Sequence, residues 1–592
     1  MGYPRKRFMF FSRIIFDFNH FLIKISCISW LCASVLVVHA TMLAWSAYRH
    51  SPVFDEWGHL PAGVSHWKHG RYDLYRVNPP LIRMIAALPL LCFDSQMDLP
   101  SAPAYGLSRP EFESIASIQN SKFFFHFTLG RWACIPFSLL GGIVCFLWGR
   151  DLYNHSAGIA ALLLWCFSPT VLGHAQFLTP DCGAASLGLL ACYLFWRWLK
   201  QSNWTRAFFV GIALGLTLLT KFTWIILLVL LPCLWILWKA FNKTRKNFLR
   251  ELLQGTIMIL ISLFIINSCY EFQGSFQQLG NYRFISKTLR PVDTEYDWGS
   301  GLPKKNRFTD SIIGMIPVPF PSEYILGIDR QKWDFDDNVY KSYLCGVWQD
   351  HGWWYYYLFA TLIKEPIGTL VLFVVALTVG TMLKRPCFAV DEAILLIPGI
   401  FILIIVSSQT GFNHHVRYVL PAYPFFFIFS TRLFSLQHFS KTIQTIATCC
   451  IGGSIVSVML CYPHCMSYYN ESIGSHRNGH YYLNESNLDW GQDMIYVREW
   501  LDKHTEVKLD GMSLHIGMNH LVNETCPSPS KEPQPGWYLM SLHQIHVYGD
   551  DYLYFLKFTP YDTIAWSHVV YHVTLEEANQ VRRDLGLPKL EK

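Results

Sequence analysis

Eleven apolar runs, each near the roughly 20 residues a helix needs to cross a hydrocarbon core, constrain this chain more than any other feature of it. They lie at 25–48, 125–149, 157–176, 182–199, 206–220, 222–240, 253–270, 356–383, 393–409, 416–434 and 442–461. Only 15% of the 592 residues are charged, where a soluble chain carries about a quarter. A single soluble domain, a disordered or collagen-like chain and a coiled-coil rod are thereby excluded. Aromatic residues reach 16%, as expected where rings collect at membrane–water boundaries. The expected fold is a mostly α, polytopic membrane protein of about eleven transmembrane helices.

Orientation follows from the basic residues. With 206–220 and 222–240 counted as two crossings, one set of short loops holds Arg150, Lys200, Arg206, Lys239, Lys243, Arg245, Lys246, Arg250, Lys384, Arg385, Arg432 and Lys441. Arg5, Lys6, Arg7 and Arg13 fall on that side too, which places the N-terminus in the cytoplasm. Three expected parts follow: residues 1–24 as a cytoplasmic N-terminus, 25–461 as the membrane domain with outer loops 49–123 and 271–355, and 462–592 as a small extracytoplasmic α/β domain. Within the last, 507–518 and 537–542 alternate like strands, while about 492–503 and 575–585 read as helices. The first run is long and lacks a small-residue cleavage site, so it reads as an anchor rather than a signal peptide. No basic face suits a nucleic acid. Most cysteines lie inside apolar runs as small packing residues; Cys345, Cys465 and Cys526 are free to pair in an oxidising space, with no partner assigned.

Charges near the outer ends are few. Asp55 and Glu56 follow the first run within ten residues, Arg71, Asp73 and Arg76 come next, and Asn78-Pro79-Pro80-Leu81 opens a stretch to Phe93 interrupted by Arg83. That stretch is too short to span and reads as an interfacial helix begun by the proline pair. Asp181 follows Thr179-Pro180, and Lys221 follows Leu219-Thr220. Each has a bland reading beside a functional one: a solvated rim for the acid pair, a helix N-terminal carboxylate for Asp181, a snorkelling amine for Lys221.

The run of Asp55-Glu56, Asn78-Pro79-Pro80-Leu81, Thr179-Pro180-Asp181 and Leu219-Thr220-Lys221 resembles the GT-C membrane glycosyltransferases. The likeness is to the branch (glycosyltransferase family 39-like) with the protein O-mannosyltransferases and the lipid A aminoarabinose transferase. Lys364-Glu365-Pro366 and Arg417-Tyr418-Val419-Leu420-Pro421 resemble further motifs of that branch. Tyr469-Asn470-Glu471 and 486–493 resemble bacterial members with an extra outer domain. The resemblance implies inverting transfer of a sugar from a polyprenyl-phosphate donor to a protein, lipid or glycan acceptor at the outer face of a bacterial inner membrane. The competing reading is a transporter or flippase of a lipid-linked or polar solute, which would want intramembrane charges and repeat symmetry; no fixed-period repeat is present.

Sugar transfer needs a base, an anion clamp and an apolar groove. Asp55 is the expected base, Glu56 orients it or a substrate group, and Asp181 binds a sugar hydroxyl or a cation. Arg417 and Lys221 are the first expected phosphate ligands, then Arg83, with Arg71, Arg76 and Lys364 also near the interface. Carboxylates beside a phosphate suit Mg²⁺ or Mn²⁺, but the resembled branch varies in this and no metal is assigned. Blander readings cover the rest: His39 as a hydrogen-bonded core histidine, His414-His415 as loop residues and 353–357 as an aromatic belt. Asp334, Asp336 and Asp337 read as a solvated loop, and Asp489 as a structural residue. Asn470, Asn484 and Asn523 begin N-x-Ser/Thr sequons that matter only in a eukaryote.

Overall fold

The computed structural model describes residues 5–92, 123–242, 247–297, 301–336, 340–382, 386–435, 440–514, 526–547 and 549–591, by backbone alone at 5–26, 123 and 379–389. Seven helices there are long and apolar enough to cross a membrane: Cys27–Arg49, Phe124–Leu152, Pro180–Lys200, Phe222–Asn242, Phe248–Cys269, Val390–Ser408 and Lys441–Cys461. Two bent pairs bring the number to nine: His155–Cys166 with Pro169–Ala175, and Tyr356–Lys364 with Ile367–Thr378. The protein is a multi-pass, mostly α membrane protein.

Two of the eleven expected crossings are shorter or less regular than these helices, though each joins the two ends of the bundle. Lys221 and Arg417 meet Asp181 at one end, and Lys200 and Arg432 meet Asp391 and Glu392 at the other. The run at 206–220 forms Trp204–Leu218, about 22 Å long at 1.5 Å per residue, short of a core about 30 Å thick. The run at 416–434 divides into a 3₁₀ stretch Val416–Ala422, a helix Tyr423–Ser430 and a turn Thr431–Phe434. Pro421 and Pro424 each remove a backbone donor there. Its apolar character serves burial among other helices: Val419, Leu420 and Phe425 are wholly enclosed.

Pro180–Lys200 is the central helix, with 83% of its apolar window buried, against 17% for Cys27–Arg49. It carries Asp181 at its start and Lys200 at its end. Around Lys200 lie Asp391, 2.7 Å away, and the Arg432–Glu392 pair, so basic loop residues assemble at one end of the bundle. Asp181 faces the other end. There the helix Leu81–Leu91 packs on Phe54–His69 and Phe123–Leu152; it buries Ile82, Arg83, Ala86 and Ala87 against them and leaves Leu88 and Leu91 exposed. Beyond this end stands a four-stranded sheet. Gly511–Ser513 pairs parallel with Gly536–Ser541, which pairs antiparallel with His568–Val573, itself antiparallel to Asp562–Ile564. Helices Met494–Lys503 and Leu575–Asp584 accompany the sheet. Part of the expected strand at 507–518, and Asn523, fall outside the described residues.

Candidate active site

Asp55 sits in the first turn of Phe54–His69, where a carboxylate is favoured by the orphan amides. Its neighbour Glu56 has the opposite environment. The Glu56 side chain is wholly buried, accepts from Val53 N and Leu178 N at 2.9 and 3.0 Å, and is forked by Arg131 Nε at 2.8 Å and by Arg131 Nη2. Arg131 also donates to the carbonyls of Ala47, His50 and Ser51, so every guanidinium donor is used. Glu56 is thus engaged by Arg131 and two backbone amides at the start of the helix that presents Asp55. Arg131 was missed from sequence, although a lone arginine inside the run 125–149 was a signal for a buried partner.

Asp55 Oδ2 accepts from Arg417 Nη2 at 2.9 Å, and Arg417 Nη1 reaches Asp181 Oδ2 at 3.3 Å. Lys221 Nζ lies 2.7 Å from Asp181 Oδ1 and 4.9 Å from the Tyr418 ring centre. Two carboxylates and two cations thus alternate: Asp55, Arg417, Asp181, Lys221. Arg417 stacks 4.0 Å over Trp490, and its Nε is a buried donor without a hydrogen-bond partner among the described residues. Lys221 is placed by its neighbours. It is extended between Trp204–Leu218 and the 3₁₀ turn Phe222–Ile226, and Trp224 then docks on the central helix by donating to Ala184 O at 2.9 Å. Only a glycine fits beneath that indole, because a Cβ at Gly188 would lie 1.9 Å from Trp224 Cζ2.

The four residues line a cavity of about 350 Å³ with Tyr75, Asn78, Gln331, His415, Tyr418 and Trp490 among its walls. An apolar groove of about 270 Å³ adjoins it, walled by Phe222, Ile225, Ile226, Ile328, Ile405 and Val406. Lys221, Gln331, Phe335 and Tyr418 belong to both spaces. Burial, aided by the Arg417 charge, lowers His415 well below the usual imidazole range, so this wall residue is neutral. Burial likewise lowers the Lys221 amine, against the pull of Asp181.

The other expected phosphate ligands are engaged elsewhere. Arg83 donates from Nε to His66 Nε2 at 2.8 Å and from Nη2 to Asn78 O at 2.8 Å, bracing the loop that supplies Asn78. Arg71 pairs with Asp73 at 2.8 Å, and Arg76 pairs with Glu323 beside a separate cavity. Lys364 is buried against the carbonyls of Met466 and Asn487, both at 2.7 Å. None of the four lines the cavity; their charges are used to hold backbone carbonyls, an imidazole and acidic neighbours.

The blander readings divide. His39 is a core histidine between Cys166 O at 2.9 Å and Ser138 Oγ at 2.8 Å. His414 and His415 line the cavity rather than an outlying loop, as does Asp334. Asp336 pairs with Lys332 at 2.8 Å, and Asp337 lies outside the described residues. Trp354 is exposed, whereas Tyr356 and Tyr357 are enclosed, so 353–357 is only partly a belt. Asp489 is buried and accepts from Gly491 N at 2.9 Å and from Ser541 Oγ, in a turn where Gly491 has φ +90°. Asn470 and Asn484 are buried and hydrogen-bonded, so neither amide is open to glycosylation. Cys465 Sγ lies 3.7 Å from Cys461 Sγ without a disulfide, and Cys526 Sγ lies 3.6 Å from Leu509 O.

Fold and site together define a multi-pass membrane protein with a carboxylate–cation centre at one end of its bundle, opening on an apolar groove. Residues 115–268, which contain Arg131, Asp181 and Lys221, match the family model described as dolichyl-phosphate-mannose-protein mannosyltransferase. The resemblance read from the motifs is thus supported over that part of the chain. Among solved structures, ArnT from Cupriavidus metallidurans bound to undecaprenyl phosphate is similar at 12% identity and a TM-score of 0.46, over 92% of this chain and 97% of that one. The S. cerevisiae Pmt1-Pmt2 complex bound to its sugar donor is similar at 12% identity and a TM-score of 0.45, over 74% and 89%. Comparison with curated proteins gives no match.

Proposed function

We propose that this protein transfers a sugar, with inversion, from a polyprenyl-phosphate donor to a protein, lipid or glycan acceptor. The observation that carries the reading is the junction at Lys221 and Tyr418, where a polar cavity holding Asp55 and Arg417 meets an apolar groove. A polyprenyl tail suits the groove, and its phosphate then lies at Lys221 and Arg417. Arg417 offers the unused Nε donor and a planar fork that matches phosphate oxygens. A phosphate at Arg417 competes with Asp55 for the guanidinium and leaves Asp55 Oδ2 to the acceptor. Asp55 takes the hydroxyl proton as the acceptor oxygen bonds to the anomeric carbon. The bond from that carbon to the phosphate oxygen breaks, and its electron pair stays on the phosphate. A phosphate monoester has a second pKa of about 6, so charge stabilisation by Arg417 and Lys221 replaces a general acid. Asp181 holds both cations in place.

Asp55 and Asp181, the pair that would have to grip Mg²⁺ or Mn²⁺, each already face a cation at 2.9 and 2.7 Å. That arrangement does not fit a divalent ion between them. The site end faces away from the cytoplasm in this reading, because the basic loops gather at the opposite end; the N-terminus is then cytoplasmic, in a bacterial inner membrane. The test is transfer of labelled sugar from synthetic polyprenyl-phosphate sugars by the purified protein in lipid. Transfer that Asp55→Asn abolishes supports the reading. Solute movement without transfer from any such donor supports a transporter instead.

A further inference from the structure

His50, His464 and Asp493 stand outside the cavity and have no part in the reaction above. They come from three separate segments: the end of the first span, the turn after the last span, and the residue preceding helix Met494–Lys503. One ligand-capable atom of each lies within 4.8 Å of the others. His50 Nε2 is 3.6 Å, and His464 Nδ1 3.4 Å, from the same oxygen, Asp493 Oδ1. The side chains of His50 and Asp493 are 1% and 0% exposed, and that of His464 16%.

Both separations exceed the 2.7–3.2 Å or so of an N–H···O bond. His464 Nδ1 and Asp493 Oδ1 are buried atoms without a hydrogen-bond partner among the described residues. The far side of each anchoring group is nevertheless satisfied. His50 Nδ1 lies 2.9 Å from Ser46 O, a contact that requires the proton on Nδ1. The Nε2 lone pair then points at a carboxylate oxygen. Asp493 Oδ2 accepts from Gln492 Nε2 and Ser567 Oγ, both at 2.6 Å. Arg131 donates to His50 O but spends its charge on Glu56. Two acceptors, His50 Nε2 and Asp493 Oδ1, therefore face each other, with His464 Nδ1 3.4 Å from the same oxygen.

An imidazole fixed through its remote nitrogen to a carbonyl, beside a carboxylate fixed through its other oxygen, is the outer shell that orients metal ligands. The spacing agrees, since ligands at about 2.0–2.1 Å from a tetrahedral zinc stand about 3.3 Å apart. His464, the least buried of the three, is the ligand with room to close the remaining edge. We propose that His50, His464 and Asp493 bind one divalent transition metal of the zinc type, with water in the fourth position. The metal reinforces a seam already drawn by Ser51 N to Gln492 O at 2.8 Å and Ser51 Oγ to Gly491 O at 2.6 Å. It thereby ties the chain just upstream of Asp55 to the C-terminal region, as a positioning group and not a catalytic one.

The test uses the full-length protein in detergent, stripped with chelator and titrated with zinc chloride. Bound zinc is measured by mass spectrometry on the monodisperse size-exclusion peak, with cobalt(II) absorption as a second readout. One zinc per chain is expected for wild type and for Asp55→Asn, with at least tenfold weaker binding for His464→Gln and Asp493→Asn. His464→Gln, at the partly exposed position, serves where Asp493→Asn fails to fold. Equal zinc binding by wild type and His464→Gln would overturn the proposal. So would loss of zinc in Asp55→Asn with retention in His464→Gln, which would put the metal in the cavity.

Discussion

Asp55 and Glu56 are adjacent acids with opposite surroundings, and removing each charge should have opposite consequences. Glu56→Gln replaces one acceptor oxygen by an NH₂ group. At the Oε2 position that group would meet Val53 N–H and the Arg131 fork, both donors. The Arg131 charge would then be buried without its counter-ion, with side chains 1% and 0% exposed. Breaking such a pair from one side costs about 3–5 kcal/mol, a large part of the 5–15 kcal/mol or so that holds a typical domain together. Asp55→Asn loses one charge-assisted bond of a side chain that is 22% exposed, so its cost should fall at or below the 1.5–3 kcal/mol or so of such a bond. Thermal unfolding of both variants in detergent, with sugar transfer measured per folded molecule, separates the two roles. Glu56→Gln should unfold at a clearly lower temperature and keep activity in whatever fraction folds. Asp55→Asn should unfold near wild type and transfer nothing. A Glu56→Gln midpoint equal to that of wild type would refute the buried-pair argument, and full transfer by Asp55→Asn would remove the base.

Arg417→Lys keeps the charge but cannot reach Asp55 and Asp181 together; transfer should fall about 10²–10³-fold, the usual loss of a charge-stabilising donor, read from initial rates with labelled donor. Gly188→Ala should cost about 1–3 kcal/mol by overpacking Trp224 and should lower transfer by moving Lys221, whereas Gly255→Ala, with nothing within 4 Å of its Cβ, should change neither midpoint nor rate. Acid should loosen the C-terminal region. Burial lowers His480 to about 4 and His546 to about 3, where the rings share a 2.7 Å hydrogen bond. Both stay neutral in the fold while the unfolded chain takes up protons below its ordinary imidazole value of about 6.5. Their contribution is complete above that pH and is lost as pH falls toward 4, by about 1.4 kcal/mol per pH unit and histidine. Chemical denaturation midpoints across this range should show the slope, and His546→Gln should flatten it.

The sequence by itself determined the protein's solvent and the positions of nine of the candidate spans. Hydropathy places each residue along the bundle axis, which is why Asp55, Asp181, Lys221 and Arg417 were legible as charges at one level. The short run before Lys221 and the proline-broken run at 416–434 also read as crossings and do join the two ends of the bundle; hydropathy alone did not show that the first is a short helix and the second a broken one.

Direction around the axis is a different quantity, and only the tertiary structure decided it. Arg71, Arg76, Arg83 and Lys364 share the level of the site but meet Asp73, Glu323, His66 and two carbonyls before they meet the cavity. Glu56 is one residue from Asp55, yet about 100° of helix rotation points it at Arg131 instead. His415, Tyr418 and Trp490 reach the cavity from segments with no local sign of it. A buried charge is stable only where a specific partner faces it, and which groups face one another is set by packing between segments hundreds of residues apart.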